Sequence, residues 1–229
     1  MPVSSKLHLL TAGELVAEER RGALVLDTRT AEEFASLHIR RSAQIGLEGP
    51  FASWAAILLR PDQKLVLVAK NELAAEEAHV RLARVGLDWV TGYSIADEWR
   101  WREENIDLAS ISVRRCADIR QTLEIGPPFQ IVDVRSHAEW LKGHLPGAIP
   151  VPLLDLNFTI RAIDFSKPCL VYCNEGFRAA TAASILLREG VGDVAILIDG
   201  LTGWLAAGLP LEFPEPLQFK PTPAKWSNL

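Results

Sequence analysis

The sequence predicts an α/β fold built twice: two tandem domains, each a mostly parallel sheet flanked by helices. Three observations carry this reading. Short apolar runs alternate with longer helical patterns along the whole chain, the signature of buried parallel strands joined by helical crossovers. Four residue types recur at one spacing, because Asp27 and Asp133, Arg29 and Arg135, Glu33 and Glu139, and His38 and His144 each lie 106 residues apart. A strand-plus-helix unit also repeats, residues 65–68 and 81–86 echoing 169–172 and 185–190, with Gly86 and Gly190 separated by 104 residues. Two copies at so long a period describe a tandem duplication and not a solenoid array.

Composition agrees with that division. A chain of 229 residues, 48% hydrophobic and 23% charged, has apolar material for two cores, and domains of about 110 residues each are an ordinary size. The formal net charge of −5 gives no electrostatic support to binding nucleic acid or an acidic membrane surface. No apolar run approaches the roughly 18–20 residues that span a bilayer, and the first ten residues lack a signal-peptide pattern. Three cysteines are too few for a disulfide framework and suit reduced thiols, so a cytoplasmic location is expected. Cys169 and Cys173, on one extended strand, would stand about 13 Å apart and could not pair.

The elements follow in order. Thr11 with Glu14 forms a capping box opening a first helix, and Thr30 opens a second capped helix. Between them residues 23–26 read as a short strand. Residues 46–56 read as a loop entering a helix, 65–68 as a buried strand, and 73–85 as an amphipathic helix stopped by Gly86. Residues 95–101 suggest a short helix, and the charged stretch 100–107 is the candidate linker. The second half repeats the plan: helix 115–124, strand 130–134, a Pro-punctuated extended segment 147–152, strand 169–172, helix 179–189 and strand 194–198. The expected division is therefore 1–108, 109–212 and a Pro-rich arm 213–229. Pro in that arm forbids regular helix or central strand, while Phe213, Phe219 and Trp226 point to packing on the body or on a second subunit, making a homodimer worth testing.

One loop stands out. Residues 173–178, Cys-Asn-Glu-Gly-Phe-Arg, lie between the strand 169–172 and an Ala-rich helix. A cysteine at the carboxyl end of a parallel strand, facing a helix N-terminus and a guanidinium, sits where a thiolate is favoured. A six-residue loop curled round the sulfur would aim N–H groups inward, Gly176 would permit the turn, and Arg178 could fork onto an oxyanion. Cys116 and Cys169 read as small buried hydrophobes. His8, His79 and His137 are scattered without metal-ligand spacing.

Together with Asp133, Arg135, Glu139–Trp140, the Gly143-His144-Leu145-Pro146-Gly147-Ala148 stretch and the stretch from Asp199 to Trp204, this loop resembles a rhodanese domain. The resemblance covers 109–212 and, more weakly, 8–105. It implies a sulfurtransferase whose catalytic residue is Cys173, with Asn174, Glu175, Gly176, Phe177 and Arg178 around the substrate. The cysteine would take a sulfane sulfur from thiosulfate, a persulfide or a polysulfide, and pass it to cyanide, a thiol or a protein acceptor, without a cofactor. Glu175 at the mouth works against a dianionic donor. Two alternative readings compete with this one. A phosphatase or arsenate reductase of the related fold has five residues between its cysteine and arginine, whereas four intervene here. A non-catalytic binding module suits the first half better than the second. Aligning Gly86 with Gly190 places Ala69 opposite Cys173, Glu72 opposite Gly176 and Ala74 opposite Arg178, so the first half is expected to be catalytically silent and to lend surface to the cleft. The Asp–Arg pair, the glutamate (Glu33, Glu139) and the histidine, kept in both halves, read as scaffold.

Overall fold

A computed structural model describes residues 7–119 and 129–214. Residues 120–128, the first five of which fall in the expected helix 115–124, and the Pro-rich arm beyond Pro214 lie outside the described residues. The elements run α1 (Ala12–Arg20), β1 (Leu24–Asp27), α2 (Ala31–Ser36), β2 (His38–Ile39), β3 (Ala43–Gln44), α3 (Phe51–Leu58), β4 (Leu65–Ala69), α4 (Glu72–Ala83), β5 (Val90–Ile95), α5 (Glu98–Glu103), β6 (Leu108–Ala109) and β7 (Ser112–Arg114). They continue with β8 (Gln130–Asp133), α6 (His137–Trp140), β9 (Ile149–Pro150), α7 (Leu156–Thr159), β10 (Cys169–Tyr172), α8 (Phe177–Arg188), β11 (Val194–Leu197) and α9 (Gly200–Ala206). Among the described residues, no helix is long and apolar enough to cross a membrane.

Among the described residues β2 and β6 make a separate antiparallel pair, while the other nine of the eleven strands form two parallel sheets of one design. The first has the order β3-β1-β4-β5 and the second β9-β8-β10-β11-β7. The central strands β4 and β10 are buried along their whole length, which is why both read as unbroken apolar runs. In the first sheet a Leu9–Tyr93 bridge occupies the edge that β7 fills in the second. The β5 strand was not legible in the sequence because Thr91-Gly92 interrupts it. A Cβ on Gly92 would lie 2.8 Å from the His8 carbonyl oxygen, so the glycine is what admits the edge segment.

Both capping boxes form, Thr11 with Glu14 and Thr30 with Glu33, and a third joins Ser136 to Glu139. The charged stretch 100–107 is no simple linker: its first part belongs to α5, whose Trp101 is buried in the first core. The chain instead passes between sheets at residues 110–111, since β6 pairs with β2 and β7 joins the second sheet.

The two halves share a core. Ala31, Phe34 and Ala35 of α2 pack in the same buried cluster as Ala179, Ala180, Ala182 and Ala183 of α8. Helix α8 is thus covered both by its own sheet and by the first half, and small side chains let backbones approach on both sides. The buried Gln44 of β3 fastens the contact: its N–H donates to Ser184 Oγ at 3.0 Å, and its Oε1 accepts from Thr181 Oγ1 at 3.0 Å. Its amide nitrogen donates to the Arg29 carbonyl, so this polar group is satisfied despite its burial.

Candidate active site

Cys173 follows β10 directly and is 2% exposed. Two parts of the fold shape the loop beyond it. Gly176 is the N-cap of α8 with φ +82, and an added Cβ would lie 2.7 Å from the Ile198 carbonyl oxygen; a left-handed backbone and a close approach both require glycine there. Gly200 comes as near from the other side, where a Cβ would meet the Cys173 carbonyl oxygen at 2.4 Å. This proximity lets the first residues of α9 bind the loop's carbonyls: Leu201 N–H donates to Cys173 O at 2.8 Å and Thr202 N–H to Asn174 O at 3.2 Å. With those carbonyls held, the N–H groups of Asn174, Glu175 and Gly176 have no hydrogen-bond partner among the described residues. Together with the N-terminus of the twelve-residue α8, they make a cradle suited to negative charge.

Arg178 does not offer a free fork to an oxyanion, as the sequence suggested. Its two outer nitrogens donate to the Glu139 carboxylate at 2.7 and 2.8 Å, and Asn174 Nδ2 adds a third bond at 3.1 Å. The Arg178 guanidinium holds the Glu139 carboxyl well below the usual carboxylate range, with the Ser136 cap helping against the opposing effect of burial. Glu139 in turn raises the Arg178 pKa, and interaction with the Cys173 side chain contributes in the same direction. Glu139 is therefore a member of the loop's surroundings that sequence reasoning left among the scaffold residues. Its capping-box spacing was legible, but its reach across 39 residues to Arg178 was not.

The loop opens into a cavity of about 500 Å³ lined by Cys173, Asn174, Glu175, Phe177, Arg178 and Thr202 of the second half. Glu48, Gly49, Pro50 and Trp54 line it from the first half. A neighbouring cavity of about 420 Å³, reaching from Thr28 and Glu33 to Asn71 and Leu73, shares Glu48, Gly49 and Phe177 with it.

The remaining candidates lie away from the cavity. Arg135 and Asp133 are buried, and Arg135 Nη2 binds Asp133 at 2.6 Å and the Gly143 carbonyl at 2.8 Å. Arg29 repeats this with Asp27 and Leu37 at the same distances. His144 and His38 each bind a backbone carbonyl through Nδ1 and stack on Trp140 and Phe34. None of the three cysteines is in a disulfide. Burial pushes the Cys116 thiol up to about 12, with Asp199, to which it donates at 3.3 Å, adding to the effect. Burial likewise raises Cys169.

Comparison with known proteins matches the sequence of residues 117–207 to the rhodanese-like domain. A sulfurtransferase of Allochromatium vinosum is 32% identical over 110 residues, which cover 48% of this chain and 95% of that protein. The thiosulfate sulfurtransferase GlpE of Pseudoalteromonas translucida is 31% identical over 91 residues, covering 39% of this chain and 87% of that one. The corresponding GlpE of Pseudomonas fluorescens is 34% identical over 74 residues, covering 32% of this chain and 68% of that one. The chain belongs to the rhodanese-like family, whose sulfurtransferase members support sulfur transfer as its general chemistry.

Proposed function

We propose that this chain is a sulfurtransferase that carries sulfane sulfur as a persulfide on Cys173, with a donor such as thiosulfate, a persulfide or a polysulfide and a thiophilic acceptor. In this reading residues 109–212 are the catalytic rhodanese-like domain and residues 1–108 a silent one, with Ala69 in place of the cysteine. The observation that carries it is the buried Cys173 lining a cavity, in a loop whose next N–H groups have no hydrogen-bond partner among the described residues. A thiolate can attack sulfur and then hold it as a stable carrier, which serine cannot do. With thiosulfate, the Cys173 thiolate would attack the outer sulfur, forming the Sγ–S bond while the S–S bond of the donor breaks and sulfite leaves with the electron pair. The cradle supports this step by binding the terminal sulfur of the resulting persulfide anion. The acceptor then attacks that terminal sulfur and releases the Cys173 thiolate. Asn174 and Arg178, fastened to Glu139, keep the loop open around the sulfur.

Incubation with thiosulfate or a polysulfide followed by intact mass measurement tests the reading. A gain of about 32 Da that disappears in Cys173→Ser and on adding cyanide is the expected result. Failure of every donor to load Cys173, together with turnover of an aryl phosphate, overturns it.

A further inference from the structure

We infer that this cavity selects an organic persulfide whose carrier has no net negative charge, and that the first half supplies part of that selectivity through Glu48. The inference rests on the Cys173 persulfide reading and narrows its donor. Three charged side chains line the cavity: Glu48, Glu175 and Arg178. The one cation among them is neutralised, because both outer nitrogens of Arg178 are forked onto Glu139. Neither Glu48 nor Glu175 has an ion-pair partner among the described residues, and both are exposed at the mouth. The neighbouring cavity does not reverse this balance. Its Arg29 is buried on Asp27, its Arg81 binds Glu77 and the carbonyls of Leu47 and Gly49, and its Lys70, which forms no ion pair among the described residues, shares the lining with Glu33 and Glu48.

An approaching donor therefore meets two unpaired carboxylates before it meets the cradle. A dianion such as thiosulfate is repelled on approach, while a neutral or cationic molecule is not. Pro50, Trp54 and Phe177 line the same space, giving a carbon-bearing carrier apolar surface that an inorganic donor cannot use. The step balances without any added oxidant. The Cys173 thiolate attacks the outer sulfur of R–S–SH, the Sγ–S bond forms, the donor S–S bond breaks, and the carrier leaves as the thiolate RS⁻ while the proton stays on the transferred sulfur.

A series of persulfides equal in size but different in charge tests this. Aminoethyl, hydroxyethyl and sulfonatoethyl persulfides, with thiosulfate beside them, are reacted with the full chain at low salt. Loading of Cys173 is followed by intact mass, each rate being divided by that with free 2-mercaptoethanol. The expected order is aminoethyl, hydroxyethyl, sulfonatoethyl, with thiosulfate below the first two and at least about a tenfold spread between the charged ends. Salt near 1 M compresses the spread, and the Glu48→Gln/Glu175→Gln variant reduces it to under about threefold. Equal rates across the series, thiosulfate loading as fast as aminoethyl persulfide, or a spread unchanged in the double variant overturns the inference and leaves the sulfurtransferase reading standing. Absence of loading from every donor removes both.

Discussion

Residues 65–83 and 169–188 follow one path, a buried central strand turning into a twelve-residue helix. The registers against β1 and β8 make Val68 the counterpart of Tyr172, so Ala69 stands where Cys173 stands. The turns then diverge. Helix α4 is capped by Asn71, whose side chain accepts the Ala74 N–H at 2.9 Å, whereas α8 begins at Gly176, which has no side chain to offer. Matching the caps shows that the first-half turn is one residue shorter and puts Leu73, not Ala74, opposite Arg178. The glycine spacing misled the alignment because Val85 adds a residue at the far end of α4 before Gly86. The two turns thus differ in more than the thiol. The first half satisfies an N–H of its helix N-terminus with the Asn71 side chain, while the loop before the second helix leaves its N–H groups without partners among the described residues.

The sharpest way to break this comparison is to exchange the residues at the strand ends. Cys173→Ser should lower persulfide formation and sulfur transfer at least about 10³-fold. Ala69→Cys in that background should restore less than about 1% of the loading rate, because a thiol there faces a capped helix. Both are read by intact mass and by thiocyanate release to cyanide, and substantial rescue by Ala69→Cys would show that the turn geometry is irrelevant.

Next come the glycines. Gly176→Ala forces a Cβ onto the Ile198 carbonyl at φ +82, while Gly86→Ala has φ +81 with nothing within 4 Å. Urea unfolding should show a loss of about 2–4 kcal/mol for the first and about 1 kcal/mol for the second, the difference measuring the close approach alone.

The Glu139–Arg178 fork gives a smaller, pH-dependent effect. Glu139→Gln should cost about 1–2 kcal/mol after allowance for partial exposure, against about 0.5 kcal/mol for Glu33→Gln, which loses only a cap. Because the folded Glu139 carboxyl titrates below its ordinary value of 4.5, the unfolded chain takes up the proton first. The contribution of the fork is then complete above about pH 4.5 and is lost as pH falls further. Stability of the wild type and Glu139→Gln should converge on acidification; parallel curves would mean that the fork contributes nothing.

The least effect, and the test of a shared scaffold, is Thr30→Ala against Ser136→Ala. Each should lose about 1 kcal/mol, equal to within about 0.5 kcal/mol, and a large inequality would show that the two capping boxes do different work.

What the sequence determined by itself was local or periodic. Strand β10 matched its apolar run, Thr11 and Thr30 announced their helices through the residue three positions on, and the 106-residue spacing disclosed the recurring Asp, Arg, Glu and His. Those features are legible because strand burial and helix caps depend on residues close in the chain. The Cys173 loop was legible for the same reason, being six consecutive residues. The tertiary structure alone decided what surrounds that loop. It brought Glu139 to Arg178, Gly200 against the Cys173 carbonyl, and Glu48 and Trp54 from the other half to the cavity wall. No spacing rule encodes such contacts, since they arise where separate elements pack, and one residue shifted at either end of a helix changes which side chain arrives.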